Sequence, residues 1–284
     1  MSTQLPVSLI NGTDVNCINA TDRGLAYGDG VFETIAIHAA GPRFWNRHMA
    51  RLQSGCHRLG IAPVDEAVLR TECDSLLGRV AGGRNYVLKI IVTRGAGCRG
   101  YRPDTSVTPT RILQLHDWPA LPPGASGIRA TLCSLRLGNN PQLAGIKHLN
   151  RLEQVLARAE WSDPEIREGL IQDQVGRVIE GTMSNLFLVK NTVLLTPDLT
   201  RCGVAGIMRN IVLEIAAGQD YVSKVCDITL NDVFMADELF VCNSLAGIWP
   251  VTELDSKRYP VGPVTTRLQS CLQAFDDDKH EWQA

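Results

Sequence analysis

Residues 143–158 read LAGIKHLNRLEQVLAR, and how this stretch is understood governs the rest of the chain. From Leu149 onward the apolar residues Leu149, Leu152, Val155, Leu156 and Ala159 recur at helical spacing, which predicts a helix opening just after Lys147. A cation at that place opposes the positive end of the helix dipole. Taken alone, such a lysine reads as a solvated side chain. The functional reading is an amine of lowered pKa, able to form a Schiff base.

Working outward, residues 85–94 (NYVLKIIVTR) are β-branched and apolar on both faces, the pattern of a central strand buried on both sides. Residues 111–115 (RILQL) supply a partner strand, so the first half reads strand, helix, helix, strand. Residues 118–126, WPALPPGAS, disfavour regular structure and mark a boundary. The expected organisation is an N-terminal α/β domain over 1–118, a linker over 119–126 and a C-terminal α/β domain over 127–284. In the second half a strand is expected over 128–135, with shorter ones over 169–172, 177–180 and 185–189. A second helix begins at Ile207 with the stripe Ile207, Met208, Ile211, Val212, Ile215 and Ala216. Two glycines, Gly203 and Gly206, precede it and suit a tight approach to a helix N-terminus. The tail from Asp276 (DDDKHEWQA) reads as a solvated end.

At 284 residues the chain has room for two domains of roughly 150 residues each. Hydrophobic residues at 44% and charged residues at 20% are ordinary for a globular protein. Lys plus Arg number 28 and Asp plus Glu 30, a net charge of −2. No positive field is available to hold a polyanion, so nucleic acid is not expected as a partner. The nine cysteines are scattered, with no CxxC pair, as suits reduced thiols rather than a disulfide framework or a metal site. The first residues, MSTQLPVSLI, carry no basic or long apolar segment, and no apolar run reaches the roughly 20 residues that span a bilayer. A cytoplasmic protein with no membrane partner is expected.

Gly95-Ala96-Gly97-Cys98-Arg99-Gly100 matches GxGxxG after a strand, as a dinucleotide site begins. The following YRPDTSVTPT is rich in proline and β-branched residues and does not open the helix that would receive a pyrophosphate. GxxxxGK[ST], HExxH and GxSxG are absent from the sequence, so phosphate-loop, zinc-protease and serine-hydrolase chemistry lack their signatures.

Six stretches, spread along nearly the whole chain, resemble the fold type IV family of pyridoxal-phosphate enzymes: DRGLAYGDGVFET (22–34), HMARL (48–52), TRGAGCRGY (93–101), LAGIKHLNRLEQVLAR (143–158), EGTMSNLF (180–187) and GVAGIMR (203–209). LAGIKHLNRLEQ resembles the aminodeoxychorismate lyase branch in particular. The resemblance implies a two-domain α/β (α+β) fold like that of D-amino-acid aminotransferase, a homodimer, pyridoxal 5′-phosphate held in the C-terminal domain, and a small-molecule substrate. It implies a lyase of folate biosynthesis that converts 4-amino-4-deoxychorismate to 4-aminobenzoate and pyruvate. The alternative on the same frame is a D-amino-acid or branched-chain-amino-acid transaminase.

Carried over by position, Lys147 matches the lysine that bonds to the cofactor and moves protons. Arg51 matches the arginine that binds the cofactor phosphate, and Glu180 the acid that pairs with the pyridine nitrogen. Ile207 and Met208 match the helix start whose amides receive the phosphate, and Ser244 a hydroxyl phosphate ligand. Without the family frame, Arg51 and Glu180 read as surface residues and Ser244 as a turn residue. For the substrate, Arg99 and Tyr101 match the segment where the D-amino-acid transaminases carry a carboxylate-binding arginine and a histidine. Tyr101 and Phe32 stand where that branch has His and Tyr. These departures favour the lyase and leave Arg99 as a partner for a substrate carboxylate, reaching across a dimer interface. No metal is expected.

Overall fold

The computed structural model describes residues 5–104, 106–120 and 127–275 and divides them into two units. The first unit holds the described residues up to Pro119 together with Lys147–Asn150; the second holds the described residues among 120–146 and 151–276. The expected linker 119–126 lies, from 121 on, outside the described residues, as does the tail from Asp276.

In the first unit, alternation along the strands decides what each face of the sheet meets. Its elements are β1 (Val7–Ile10), α1 (Arg23–Tyr27), β2 (Gly30–His38), β3 (Gly41–Pro42), α2 (Trp45–Leu59), α3 (Glu66–Leu77), β4 (Tyr86–Thr93) and β5 (Thr110–Asp117). The strands pair antiparallel in the order β1-β5-β4-β2-β3. One face carries Val31, Ile35, Leu88, Ile90, Val92, Leu113 and Leu115, all buried, and α2 and α3 pack on it. The other face carries Phe32, Thr34, Lys89, Ile91, Ile112, Gln114 and His116, all half-buried. The strand expected over 85–94 is therefore central, between β2 and β5, but not buried alike on both sides. Lys89 and Ile91 interrupt its burial because only one face lies under helices.

The second unit contains β6 (Ile128–Leu137), α4 (Leu152–Arg158), β7 (Ile166–Asp173), β8 (Val178–Gly181), β9 (Asn185–Lys190), β10 (Val193–Pro197), α5 (Ile207–Gly218), β11 (Ser223–Cys226), α6 (Leu230–Phe234), β12 (Glu238–Asn243), β13 (Gly247–Leu254), β14 (Lys257–Arg258) and α7 (Pro263–Ala274). Its mixed sheet runs β11-β10-β9-β12-β13-β6-β7-β8, and β8 also pairs with β9. The strands from β9 to β8 thus close on themselves and leave no free edge between them. The interior is apolar, with Leu170, Val178, Leu186, Leu188, Val241 and Val251 among its members. The expected stripe of α5 is buried at all six positions, and the helix packs on β12 and α7. Both units mix strands with helices, as the expected α/β (α+β) class requires. Among the described residues no helix is long and apolar enough to cross a membrane.

Because Ile211 is fully buried in the α5 stripe, Ile211→Ala should destabilise the protein by about 2–5 kcal/mol through lost burial and the cavity left behind. Urea unfolding with an unchanged slope and a lowered midpoint is the expected readout.

Candidate active site

Lys147 is not at the start of a helix. Phe32 N–H donates to Lys147 O at 3.0 Å, Leu149 N–H donates to Gly30 O at 3.0 Å, and Val31 and His148 form an antiparallel bridge. Residues 147–149 therefore bridge to the edge of β2 that β4 leaves open, and α4 begins only at Leu152. The backbone groups that a helix would use are spent on this pairing. The helix-dipole argument for Lys147 accordingly does not apply. The register does the placing instead, because His148 shares the helix-covered face with Val31 while Lys147 shares the half-buried face with Phe32. The Lys147 Nζ lies 4.4 Å from the centroid of the Phe32 ring, a cation–π contact that holds the amine over the sheet.

Arg51 and His48 stand three residues apart on α2 and so share one helical face. That face meets Glu33 of β2, which is buried. Arg51 donates from Nε to Glu33 Oε1 at 2.7 Å and from Nη2 to Oε2 at 2.5 Å, a bidentate fork. His48 Nδ1 lies 2.6 Å from Glu33 Oε2, and an ionised carboxylate, being an acceptor only, keeps the ring proton on Nδ1. Burial alone would raise the Glu33 pKa, but the charges and hydrogen bonds of Arg51 and His48 outweigh it and bring the value from 4.5 down to about 2. His48 goes the other way. Burial, then the cations Arg51 and Lys147, lower its pKa against the pull of Glu33. Arg51 is thus a fixed, charged fork with its orientation set from behind.

Arg99 and Tyr101 occupy an exposed loop. Arg23 spans that loop, donating from Nη1 to Gly100 O and from Nη2 to Tyr101 O, while its Nε donates to Asp29 Oδ2. The Tyr101 ring is 87% exposed and meets Tyr27 at 5.5 Å between centroids. Phe32 is brought to Lys147, whereas Arg99 and Tyr101 project outward. The GxGxxG run is this loop and opens no helix. Gly95 adopts φ +100, and a Cβ there would collide with the Thr108 carbonyl oxygen.

In the second unit a single loop organises the remaining residues. Gly145 N–H donates to Gly203 O at 2.8 Å and Ala205 N–H to Gly145 O at 3.1 Å, so the segment leading to Lys147 pairs with residues 203–205. From the same loop Val204 N–H donates to Glu180 Oε2 at 2.8 Å. The Glu180 Oε1 lies 3.4 Å from Gln154 Nε2, and Glu180 itself is buried on β8. The loop runs directly into α5. Gly206 caps that helix without a side-chain hydrogen bond, and a Cβ at Gly206 would collide with Asn185 Oδ1, whose amide donates to Val204 O. Ile207 and Met208 turn their side chains into the core, so only main-chain N–H groups at this helix start are available to an anion. Ser244 is half-buried in the turn between β12 and β13. Behind Glu180, the buried Glu168 accepts from Gly169 N, Thr182 N, Thr182 Oγ1 and Ser184 Oγ. It thereby fixes the turn joining β8 to β9.

The first unit carries a paired arginine fork and an amine laid over an aromatic ring, the second an uncapped helix start and a buried carboxylate. The sequence pattern of the amino-transferase class IV family matches residues 30–254. The chain belongs to the amino-transferase class IV family. It is similar to the aminodeoxychorismate lyase of Vibrio harveyi, 37% identical over 93% of this chain and 98% of that protein. The 4-amino-4-deoxychorismate lyase structure from Pseudomonas aeruginosa is similar at 49% identity, with a TM-score of 0.88, over 94% of this chain and 98% of that one. Within the same class IV frame, a T.th. branched-chain amino acid aminotransferase, complexed with N-(5′-phosphopyridoxyl)-L-glutamate, is 25% identical, with a TM-score of 0.81, over 94% of this chain and 92% of that one.

Sequence reasoning passes over Glu33, Glu168, Gln154, Arg23 and Lys89. Glu33 does leave a signal. It is the only acid in the alternating set Val31, Glu33, Ile35, Ile37, opposite an HxxR pair.

The Glu33 cluster also sets an acid limit. Its pKa is depressed by folding, so its contribution, on the order of 3 kcal/mol, is complete above the ordinary value of 4.5 and is lost as pH falls through about 2. Stability measured by denaturant titration between pH 6 and about 2 should fall steeply in the wild type and less so in Glu33→Gln.

Proposed function

We propose that this chain is a pyridoxal-phosphate-dependent lyase that converts 4-amino-4-deoxychorismate to 4-aminobenzoate and pyruvate, a step of folate biosynthesis. The observation that carries this reading is the 49% identity across almost the whole chain to a lyase of that activity. Placement of Lys147 on the half-buried sheet face beside Phe32 agrees with it. When bound, the cofactor supplies an electron sink for carbanion chemistry at the carbon bearing the substrate amine.

The residues of the chain do the rest. Lys147 would hold the cofactor through its amine and would serve as the base that takes the proton from that carbon. Glu180, held by Val204 N–H, would keep a proton on the pyridine nitrogen, as a carboxylate partner favours the protonated base. Arg51 and the main-chain amides at Ile207 and Met208 would hold the phosphate, with the Ser244 hydroxyl as a further ligand. Glu33 fixes the plane of the Arg51 guanidinium. The aromatic Phe32 gives the lysine a π face and no hydroxyl with which to trade protons. Arg99, presented on its loop by Arg23, binds a substrate carboxylate with Tyr101 beside it.

The protein acts as a homodimer in the cytoplasm. Supporting the dimer, α4 turns Leu152, Val155 and Leu156 outward at 76%, 60% and 59% exposure, an apolar stripe that a partner would cover. Its nine free thiols suit a reducing compartment.

Incubation of the loaded protein with enzymatically prepared aminodeoxychorismate should yield fluorescent 4-aminobenzoate and equimolar pyruvate. Transamination of D-alanine with 2-oxoglutarate and no 4-aminobenzoate would instead select the transaminase. Glu180→Gln should keep the cofactor and lose turnover. Sedimentation should give twice the 31.1 kDa chain mass, and Leu152→Glu with Val155→Glu should shift that mass toward the monomer.

A further inference from the structure

Two lysines share the ring of Phe32. Besides Lys147 at 4.4 Å, the Lys89 Nζ lies 5.7 Å from the same centroid, so the two ammonium nitrogens are at most about 10 Å apart. Lys89 stands in the middle of β4, opposite Thr34 on β2 and Gln114 on β5. Its side chain is half-buried. A charge drawn out of water in this way calls for a counter-charge.

The sheet supplies none nearby. On this face β2 presents Gly30, Phe32, Thr34, Ala36 and His38, β4 presents Val87, Ile91 and Thr93, and β5 presents Thr110, Ile112, Gln114 and His116. No acid occurs among these strand residues. Glu33 points to the opposite face, where Arg51 and His48 engage it. Asp22 reaches this face only at its far end, where Thr93 and Thr110 donate to it; Thr93 is four residues beyond Lys89, about 13 Å along a strand. Among the described residues, no salt bridge involves Lys89. A second polar group on the face lacks a partner as well. The His116 Nε2 is buried with no hydrogen-bond partner among the described residues, and burial, then the charge of Lys89, hold this imidazole toward its neutral form.

We propose that Lys89, flanked by Thr34, Gln114 and His116, is the subsite for the substrate carboxylate that lies across the ring from the reacting amine. This rests on the lyase reading above. An amine acting where Lys147 acts, a six-membered ring, a carboxylate at the opposite end and one hydrogen bond together span about 9 Å, which joins the two lysines when their ammonium nitrogens stand near the limit of about 10 Å on their separation. Lys89 gives the carboxylate a charged partner, and the Thr34 hydroxyl, the Gln114 amide and the His116 ring add donors that cost no further charge burial. Recognition of the ring end is thereby assigned to the protomer that carries Lys147.

The test compares 4-aminobenzoate with its neutral isostere 4-aminobenzamide, titrated calorimetrically into the loaded enzyme. The wild type should prefer the carboxylate. Lys89→Gln and Lys89→Met should lose about tenfold or more in affinity for 4-aminobenzoate, about 1.4 kcal/mol, with the amide changed by less than about twofold. Lys89→Arg, which keeps the charge, should retain the preference. Melting temperature and visible absorbance confirm that each variant is folded and loaded. The subsite is overturned if the wild type shows no preference, if Lys89→Gln or Lys89→Met keeps it, or if Lys89→Arg loses it. A wild type that forms 4-aminobenzoate from aminodeoxychorismate, with the preference unchanged in Lys89→Met, removes the subsite and leaves the lyase reading standing. No product from the wild type removes both.

Discussion

The structure depends on a pairing of three residues. Without the hydrogen bonds between Gly30, Phe32 and the backbone of 147–149, nothing in the local sequence would hold Lys147 against β2, because the stretch that follows it, LNRLEQVLAR, favours a helix. The pairing uses the open edge of β2, and strand alternation then decides which way the lysine points. A slip of one residue would carry Lys147 to the helix-covered face and bring His148 to the ring of Phe32. Backbone register thus chooses the face on which the amine stands, and the Phe32 ring holds it there. Gly30 contributes directly, since a Cβ there would press on the Leu149 side chain and on the β4 backbone.

A similar economy governs the carboxylates. Glu33, Glu168 and Glu180 are all buried, and each has a different set of donors. Glu33 is matched by cations and stays ionised to low pH. Glu168 is matched by four neutral donors, and burial, the largest influence on it, leaves its pKa raised. Glu180 takes one firm main-chain hydrogen bond from the loop that also starts α5. Two of the three act by holding other groups, Glu33 the Arg51 fork and Glu168 the turn after Glu180. Glu180 is the one to which the proposed function gives a charge that acts on a bound ring. The cost of burying each acid is offset by a different chemistry, and this allows three carboxylates to serve three purposes in one chain.

Much of this is legible in the sequence. The α5 stripe can be read residue for residue, because a buried helix on a sheet writes its period plainly. The short strands over 169–172, 177–180 and 185–189 also lie within β7, β8 and β9 apart from one boundary residue. Lys147, Arg51 and Glu180 emerge through the family frame and not through their own surroundings. What the sequence hides is non-local. The helix expected from Leu149 opens only at Leu152, because residues 147–149 are engaged by a partner strand over a hundred residues earlier, and no window around 147 contains it. The outward stripe of α4 has the same spacing as an inward one, so periodicity could not say what covers it. Lys89 reads as part of an apolar strand, although a lysine in the middle of NYVLKIIVTR marks the face that helices leave uncovered.

The central claim is that this backbone register makes Lys147, among the lysines of the chain, the one that bonds to the cofactor. Borohydride reduction of the protein loaded with pyridoxal phosphate, followed by proteolysis and mass spectrometry, tests it most directly. The account predicts one reduced adduct, on the peptide carrying Lys147. An adduct on Lys89 or on any other lysine, with Lys147 unmodified, would contradict it.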